Sequence, residues 1–144
     1  MNDFDIKLAD NDADIRRCYP VMQVLRTHIA SEAEFLSRVQ WQQANANWRL
    51  IYVEDAGEPV AVAGFRISQW LVTGKTLYVD DLVALESHRG RGFAEALMVW
   101  LEAHARKEGC ATLELDSGTH RLGAHRFYHR LKMVVQAFHF QKKL

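Results

Sequence analysis

Residues 78–98 read YVDDLVALESHRGRGFAEALM, a strand-like segment that runs directly into a helix-like one. Gly90 and Gly92 lie at the junction, where a backbone without side chains lets a ligand approach closely. The first N–H groups of a helix have no partner inside it and carry the positive end of its dipole. The junction is therefore predicted to bind an anion, with a purely structural strand-to-helix turn as the alternative.

This junction differs from two well-known phosphate-binding motifs. It lacks the G-x-x-x-x-G-K-[ST] pattern of the P-loop, and its glycines do not fit the G-x-G-x-x-G pattern of dinucleotide-binding folds. Nucleotide hydrolysis and hydride transfer are therefore disfavoured.

The composition is that of one globular domain. The chain has 144 residues, 49% of them hydrophobic and 25% charged, so we expect residues 1–144 to form a single domain. Cys18 and Cys110 form no CxxC pair, which argues against a zinc site and against a disulfide scaffold. No export signal follows Met1 and no apolar run reaches the roughly 18 residues of a membrane span. We expect a cytoplasmic protein without a membrane partner.

The charges cancel over the whole chain but not locally. Eighteen basic and 18 acidic residues are present, yet from Thr119 onward there are Lys and Arg residues and no acid. A local positive field suits a compact polyanion better than a long nucleic acid, so no nucleic-acid partner is expected. A solvated basic tail is the alternative.

The apolar periodicity predicts an antiparallel meander followed by alternating strands and helices. Asp12 is expected to cap a helix that Pro20 kinks or restarts, and Ser31 with Glu34 forms the capping box of a second helix. Two more helices are expected, one that starts near Arg91 and one over residues 122–131. The predicted strands are residues 5–8, 48–54, 59–69, 76–85, 111–115 and 134–140.

Two separated motifs resemble the GNAT superfamily, the acetyl-CoA-dependent N-acetyltransferases. Arg89, Gly92 and Ala94, after a strand that contains Asp-Leu, are similar to its motif A. Residues 124–128, AHRFY, are similar to the A-x-x-F-Y signature of its closing helix. Residues 116–140 also resemble the end of bacterial aminoalkylphosphonate N-acetyltransferases.

The resemblance implies an α/β (α+β) GNAT fold. In that fold a mixed, mostly antiparallel sheet of about six to seven strands is flanked by about four helices and splayed in the middle to admit acetyl-CoA. It also implies an acyltransferase that moves acetyl directly from acetyl-CoA, its cosubstrate, to a primary amine of a small molecule in a ternary complex. The alternatives are a non-catalytic acyl-CoA-binding sensor and a protein or peptide N-acetyltransferase. A homodimer formed through the late strands is compatible with the resemblance.

The resemblance also assigns a cofactor site. The pyrophosphate of coenzyme A would bind the N–H groups of the turn, and the pantetheine would pair with the strand before it. The residues so implied are Leu82, Val83, Ala84, Arg89, Gly90, Arg91, Gly92, Phe93, Ala94 and Glu95. Arg121 and Arg126 are further candidates for phosphate contacts, with side chains that simply face water as the alternative. Arg121 occupies a position where many family members carry Asn.

Acetyl transfer to an amine needs two proton transfers. An alkylammonium with a pKa of about 10.4 must lose a proton before it can attack. Asp80 and Asp81 lie on a predicted strand, where successive side chains point to opposite faces, so only one can face a given cleft. We expect Asp80 to be the base, with Asp81 and Glu86 as alternatives. The resemblance implies that Tyr128 protonates the leaving thiolate, and a core role on an apolar helix stripe is the alternative.

Two other kinds of chemistry have little support. His125 and His129 share one helix face, but no neighbouring Cys or HExxH pattern completes a ligand set, so no metal is expected. Cys110 has no base beside it in the sequence, so no covalent enzyme intermediate is expected.

Overall fold

Five strands form one sheet within residues 3–144, the part of the chain that the computed structural model describes. They lie in the sheet in chain order, and the first four pair antiparallel. The strands are β1 (Ile6–Leu8), β2 (Trp48–Asp55), β3 (Glu58–Trp70), β4 (Gly74–Ala84) and β5 (Thr112–Leu115). The predicted meander and its boundaries are thus confirmed to within about two residues.

The described residues also form five α-helices and one short 3-10 turn, Glu86–His88. The helices are α1 (Asp12–Arg17), α2 (Tyr19–Leu25), α3 (Glu32–Asn45), α4 (Phe93–Lys107) and α5 (Leu122–Arg130). Among residues 3–144, none of the helices has both the length and the apolar character to cross a bilayer. The chain divides into two compact units after Glu114, and α5 belongs to the second unit, Leu115–Leu144.

Local signals set the first helix starts. Asn11, rather than the predicted Asp12, caps α1 with its side-chain oxygen. Pro20 lies in the first turn of α2, where its missing N–H leaves no helical bond unmade, so the predicted restart is confirmed. Ser31 accepts the N–H of Glu34 at 3.1 Å, which confirms the predicted start of α3.

Apolar side chains cover both faces of the sheet. On one face, α1 to α3 pack over a core that includes Leu50, Val62 and Val83. Successive strand residues point to opposite faces. Phe65 therefore faces the other side, where its ring meets Trp100 of α4 with centroids 6.0 Å apart. The strand β4 is thus packed between two layers of helices.

A β-bulge interrupts the pairing of β3 with β4. Gly64 pairs with Asp81 and the next residue, Phe65, pairs with Val79, so that Asp80 is an extra residue in β4. A bulge bends its strand and changes the direction of the side chains beside it. The alternation rule that the sequence analysis applied to Asp80 and Asp81 therefore fails at this point.

Gly64 leaves the space that the bulge needs. A Cβ atom built on Gly64 would overlap the indole ring of Trp48 and would lie 2.7 Å from Oδ2 of Asp81. The ring and the carboxylate therefore both lie against the backbone of Gly64. A glycine is required here because any side chain would occupy their space.

One predicted strand is wrong. Residues 134–140 form no strand, and their large apolar side chains are exposed. Residues of high β-propensity form a strand only where a neighbouring strand pairs with them, and the prediction rested on propensity alone. The described residues accordingly form five strands, where about six to seven were expected, and five helices, where about four were expected.

We predict that Gly64→Ala lowers the free energy of unfolding by about 1–3 kcal/mol, because the added methyl group displaces Trp48 or Asp81. Urea denaturation measures this. Gly123→Ala is the matched control, since a Cβ there meets no atom within 4 Å. Equal effects of the two substitutions would show that the overlap at Gly64 is relieved without cost.

Candidate active site

The turn between β4 and α4 has the backbone predicted for an anion site. Gly90 and Gly92 have φ values of 74° and 88°, in the region that favours glycine. Gly92 is the N-cap of α4, and among the described residues no side chain caps this helix. The helix leaves its first N–H groups without intrahelical partners, those of Phe93, Ala94 and Glu95. These donors lie at the positive end of the helix dipole.

Asp55, at the end of β2, holds the turn in place. Its Oδ2 accepts a hydrogen bond from Arg91 at 3.3 Å and lies 3.1 Å from Nε2 of His88. Arg91, an expected phosphate contact, is thus already paired with an acid. The backbone N–H of Arg89 donates to the carbonyl of Glu86, but its side chain is exposed and makes no hydrogen bond or ion pair within residues 3–144. Of the two arginines, Arg89 is the one available for a ligand.

The backbone of β4 offers donors on its outer edge. The N–H of Leu85 donates to the carbonyl of Val60 at 2.8 Å, towards β3. N–H directions alternate along a strand. The N–H of Val83 is therefore also directed towards β3, whereas the N–H groups of Leu82 and Ala84 are directed away from it. Val83 instead contributes its buried side chain to the core. Of the three predicted residues, Leu82 and Ala84 can therefore donate to a ligand.

The strand β5 is too short to pair with the whole edge of β4 that faces away from β3. The N–H of Ala111, just before β5, donates to Lys75 near the start of β4 at 2.7 Å. At roughly 3.3 Å per residue, the four residues of β5 span only the first part of β4. The segment from Asp80 to Ala84 extends past the end of β5. An uncovered edge of this kind is compatible with the expected opening of the sheet for a ligand.

Both carboxylates of the bulge reach the face that α2 and α3 cover. Asp81 Oδ1 accepts from Nε of Arg26, which directly follows α2, at 2.8 Å. Asp80 Oδ2 accepts from Nε of Arg66 at 2.8 Å, and Arg66 also donates to Gln42 of α3 at 3.2 Å. The prediction that only one of the two acids can face a given cleft is therefore wrong, because the bulge turns both to one side.

The two acids differ in environment. The side chain of Asp81 is 14% exposed and that of Asp80 is 23% exposed. Burial raises the pKa of Asp81, although the Arg26 guanidinium opposes this shift. Asp80 is thus the more accessible of the two acids. Glu86, the third predicted candidate, is exposed on the 3-10 turn.

Tyr128 lies on α5 in the second unit. Burial raises the pKa of its hydroxyl group, and the positive charge of Arg121 partly offsets this shift. The hydroxyl therefore keeps its proton at neutral pH, as a proton donor must. Arg121 precedes α5 as its N-cap, and Arg126 is exposed on the helix.

The two histidines of α5 bind backbone carbonyls. His125 is hydrogen-bonded to the carbonyl of Gly118 at 2.8 Å, and His129 to that of Met133 at 3.2 Å. Within residues 3–144, no three His, Cys, Asp or Glu side chains are grouped so that they could hold a metal ion.

Neither thiol is activated. Burial raises the pKa of Cys18 to about 12. Burial also raises the pKa of Cys110. Since the thiolate is the nucleophilic form, neither side chain suits covalent catalysis.

Sequence reasoning missed Arg26 and Arg66 as partners of the two acids. Arg66 could have been found, because it lies almost opposite Asp80 when the β3–β4 hairpin is folded about its turn. Arg26 lies 55 positions before Asp81, and no periodicity connects a helix end with a distant strand.

The acetyltransferase (GNAT) family model matches residues 13–133. A Bacillus subtilis (strain 168) protein named uncharacterized N-acetyltransferase YhdJ is 28% identical over 125 residues, which are 86% of this chain and 87% of the relative. A transcriptional regulator from Bacillus halodurans C-125 superposes with a TM-score of 0.86 at 18% identity, over 99% of this chain and 100% of that one. Glucosamine-6-phosphate N-acetyltransferase from Arabidopsis thaliana superposes with a TM-score of 0.79 at 19% identity, over 99% of both chains. At these identities the two solved structures establish similarity of fold.

We predict that the contribution of Asp81 to the free energy of unfolding falls as pH rises. Its folded pKa lies above the ordinary value of 3.8, so between these two values the folded state binds more protons than the unfolded state. The free energy of unfolding of wild type minus that of Asp81→Asn should therefore fall as pH rises above 3.8 and level off above the folded pKa. Urea denaturation over a pH series measures this difference.

Glu54→Gln provides the control of opposite sign. Hydrogen bonds from Arg17 and Lys7 lower the pKa of Glu54 below 4.5. The corresponding difference for Glu54 should therefore rise with pH through this region and be lost in acid. An Asp81 difference that also rises with pH would mean that the ion pair with Arg26 outweighs burial.

Proposed function

Because the chain belongs to the acetyltransferase (GNAT) family and is an N-acetyltransferase, we propose that it transfers acetyl from acetyl-CoA to the primary amine of a small molecule. The observation that carries this proposal is the continuity of two sets of backbone donors. The outer edge of β4 at Leu82 and Ala84 leads directly into the turn at Gly90 and Gly92. An extended chain that ends in a diphosphate matches this arrangement.

The turn would hold the diphosphate. Backbone N–H groups at a helix start bind phosphate well, and Arg89 adds an exposed positive charge beside them. Gly90 and Gly92 would allow close approach. Arg121 and Arg126 are proposed as further phosphate contacts, since no acid follows Thr119 in the sequence.

The edge of β4 would hold the reacting thioester. The N–H groups of Leu82 and Ala84 are directed to the side on which pantetheine would pair as an added strand. One of them would also stabilise the oxyanion that forms when the amine attacks the carbonyl carbon. The donors belong to a strand packed on both faces, so they are fixed before the substrate arrives.

Asp80 is proposed as the base that accepts the proton of the incoming ammonium group. Its carboxylate is the more exposed of the two on the bulge, so an amine or a connecting water molecule can reach it. Asp81 is the alternative, since its raised pKa lies closer to neutral pH. Tyr128 is proposed to protonate the departing thiolate of coenzyme A, and the second proton that the nitrogen loses can return to the Tyr128 oxygen. Because the amine itself attacks the thioester carbon, the acetyl group passes directly from sulfur to nitrogen and no acyl group forms on the enzyme.

The acceptor is proposed to be a small molecule. The name of the Arabidopsis relative specifies a small phosphorylated amino sugar as its substrate, which supports this class over proteins and peptides. Aminoalkylphosphonates are a second class to test, although the likeness of residues 116–140 to enzymes that act on them lies mainly in elements expected to bind the cofactor and bears little on the acceptor. Cys18 and Cys110 are free thiols, which agrees with a cytoplasmic enzyme.

We predict that acetyl-CoA binds and that Gly92→Ala weakens this binding about tenfold. A side chain at a φ of 88° costs about 1–2 kcal/mol, so we expect the free variant to relax its turn and to regain the binding shape only at that cost. A tenfold loss of affinity corresponds to about 1.4 kcal/mol. Isothermal titration calorimetry measures the affinity. Gly74→Ala is the matched control, because Gly74 has a φ of 80° at the start of β4, the opposite end of the strand from Ala84. If wild type bound no acetyl-CoA, the proposed acyl donor would be wrong.

We predict that wild type releases coenzyme A from acetyl-CoA in the presence of at least one amine from a panel of amino sugars, aminoalkylphosphonates, polyamines, amino acids and peptides. Asp80→Asn and Tyr128→Phe should each lower kcat about 10²-fold, because each removes one proton transfer. A thiol-reactive dye measures release.

Asp10→Asn and Tyr52→Phe are the matched controls, one on an exposed loop and one in the core under α1 to α3. Full activity of Asp80→Asn would exclude Asp80 as the base and leave Asp81 to be tested. Binding of acetyl-CoA without turnover of any amine would favour an acyl-CoA sensor, and turnover of peptides alone would favour a peptide N-acetyltransferase.

A further inference from the structure

Arg26 joins the end of α2 to the bulge of β4 through two hydrogen bonds. Its Nη2 donates to the backbone carbonyl of Asp80 at 2.8 Å, and its Nε donates to Oδ1 of Asp81 at 2.8 Å. The planar guanidinium thus spans the extra residue of the bulge and its neighbour. A guanidinium suits this role because its donors have a fixed relative geometry.

The first of these bonds satisfies a group that the bulge displaces. A bulge disrupts the ladder locally and leaves its extra residue unpaired. Asp80 is that residue, and Arg26 supplies a donor to its carbonyl. The side chain of Asp80 is held separately, by Arg66 of β3. Two arginines therefore fix the backbone and the carboxylate of one residue independently.

The second bond compensates a buried charge. Asp81 is mostly buried beside Gly64 and Trp48, where an unpaired carboxylate would be costly. Arg26 is half-buried and supplies the opposite charge. Because both partners are partly removed from water, the pair is geometrically restrained in a way that an exposed ion pair is not.

We propose that Arg26 is a positioning residue for acetyl transfer: by holding the bulge, it sets the direction of the β4 backbone from Asp80 to Ala84. This rests on the proposed function, in which the N–H groups of Leu82 and Ala84 face the thioester. A displacement of about 1 Å at such donors can lower a rate about 10²-fold. Arg26 does not touch the substrate in this proposal and acts through the strand.

The first test measures the strand itself. In Arg26→Gln, amide hydrogen–deuterium exchange of a peptide that covers residues 79–85 should be at least about tenfold faster. The reason is that the bulge loses its hydrogen bonds to Arg26. Arg38→Gln is the matched control, since within residues 3–144 the Arg38 side chain makes no polar contact other than an exposed ion pair with Glu34, one turn away on α3. Unchanged exchange in Arg26→Gln would overturn the proposal. This readout needs neither acetyl-CoA nor an acceptor.

The second test separates the strand from the turn. Acetyl-CoA would use both, whereas adenosine 3′-phosphate 5′-diphosphate, its nucleotide half, would use only the turn. In Arg26→Gln the affinity for acetyl-CoA should fall about tenfold and that for the nucleotide should change less than about threefold. Equal weakening of both ligands would indicate a general structural defect and would overturn a positioning role.

Arg26→Lys keeps the test valid if Arg26→Gln does not fold. Lysine retains the charge beside Asp81 but has a single nitrogen in place of the guanidinium fork, so we expect the same pattern with about threefold effects. An Arg26→Lys protein identical to wild type in exchange and in both affinities would contradict the proposal. Failure of wild type to bind acetyl-CoA would instead contradict the proposed function, and the exchange experiment would still test the role of Arg26.

Discussion

The rest of the site depends on one extra residue in a strand. Gly64 and Phe65 are neighbours on β3, but their partners on β4 are Asp81 and Val79, so Asp80 has no position of its own in the ladder. The bulge turns two successive carboxylates to the same face and displaces a backbone carbonyl. Gly64 makes this possible, because a side chain there would occupy the space of Trp48.

Opposite charges around the bulge are paired at short distances. Each aspartate has its own arginine, one from the end of α2 and one from β3, with nitrogen and oxygen 2.8 Å apart in both pairs. Such a site brings two acids together without a large net charge. The two carboxylates are buried unequally, with 14% of the Asp81 side chain and 23% of the Asp80 side chain exposed. For Asp81, desolvation outweighs the attraction of Arg26 and raises the pKa. One strand thereby carries two carboxylates with different properties.

The turn before α4 is organised by backbone rather than by side chains. Its glycines adopt left-handed φ values, the helix start is uncapped among the described residues, and Asp55 holds the loop through His88 and Arg91. The position of these donors is therefore set by the protein's own backbone and side chains. A short 3-10 segment connects β4 to this turn, so the donors of the strand edge and those of the helix start lie on one continuous stretch of chain.

The sequence by itself determined the class of fold and indicated the region of the candidate site. Periodicity located every strand of the sheet, glycines marked the turn at Gly90 and Gly92, and two motifs identified the family, because these signals are local in the chain. It also predicted a strand over residues 134–140 that does not form, since propensity does not specify a pairing partner. Only the tertiary structure decided which way Asp80 and Asp81 point and that Arg26 binds both, because a bulge and a contact across 55 positions depend on how separate elements pack.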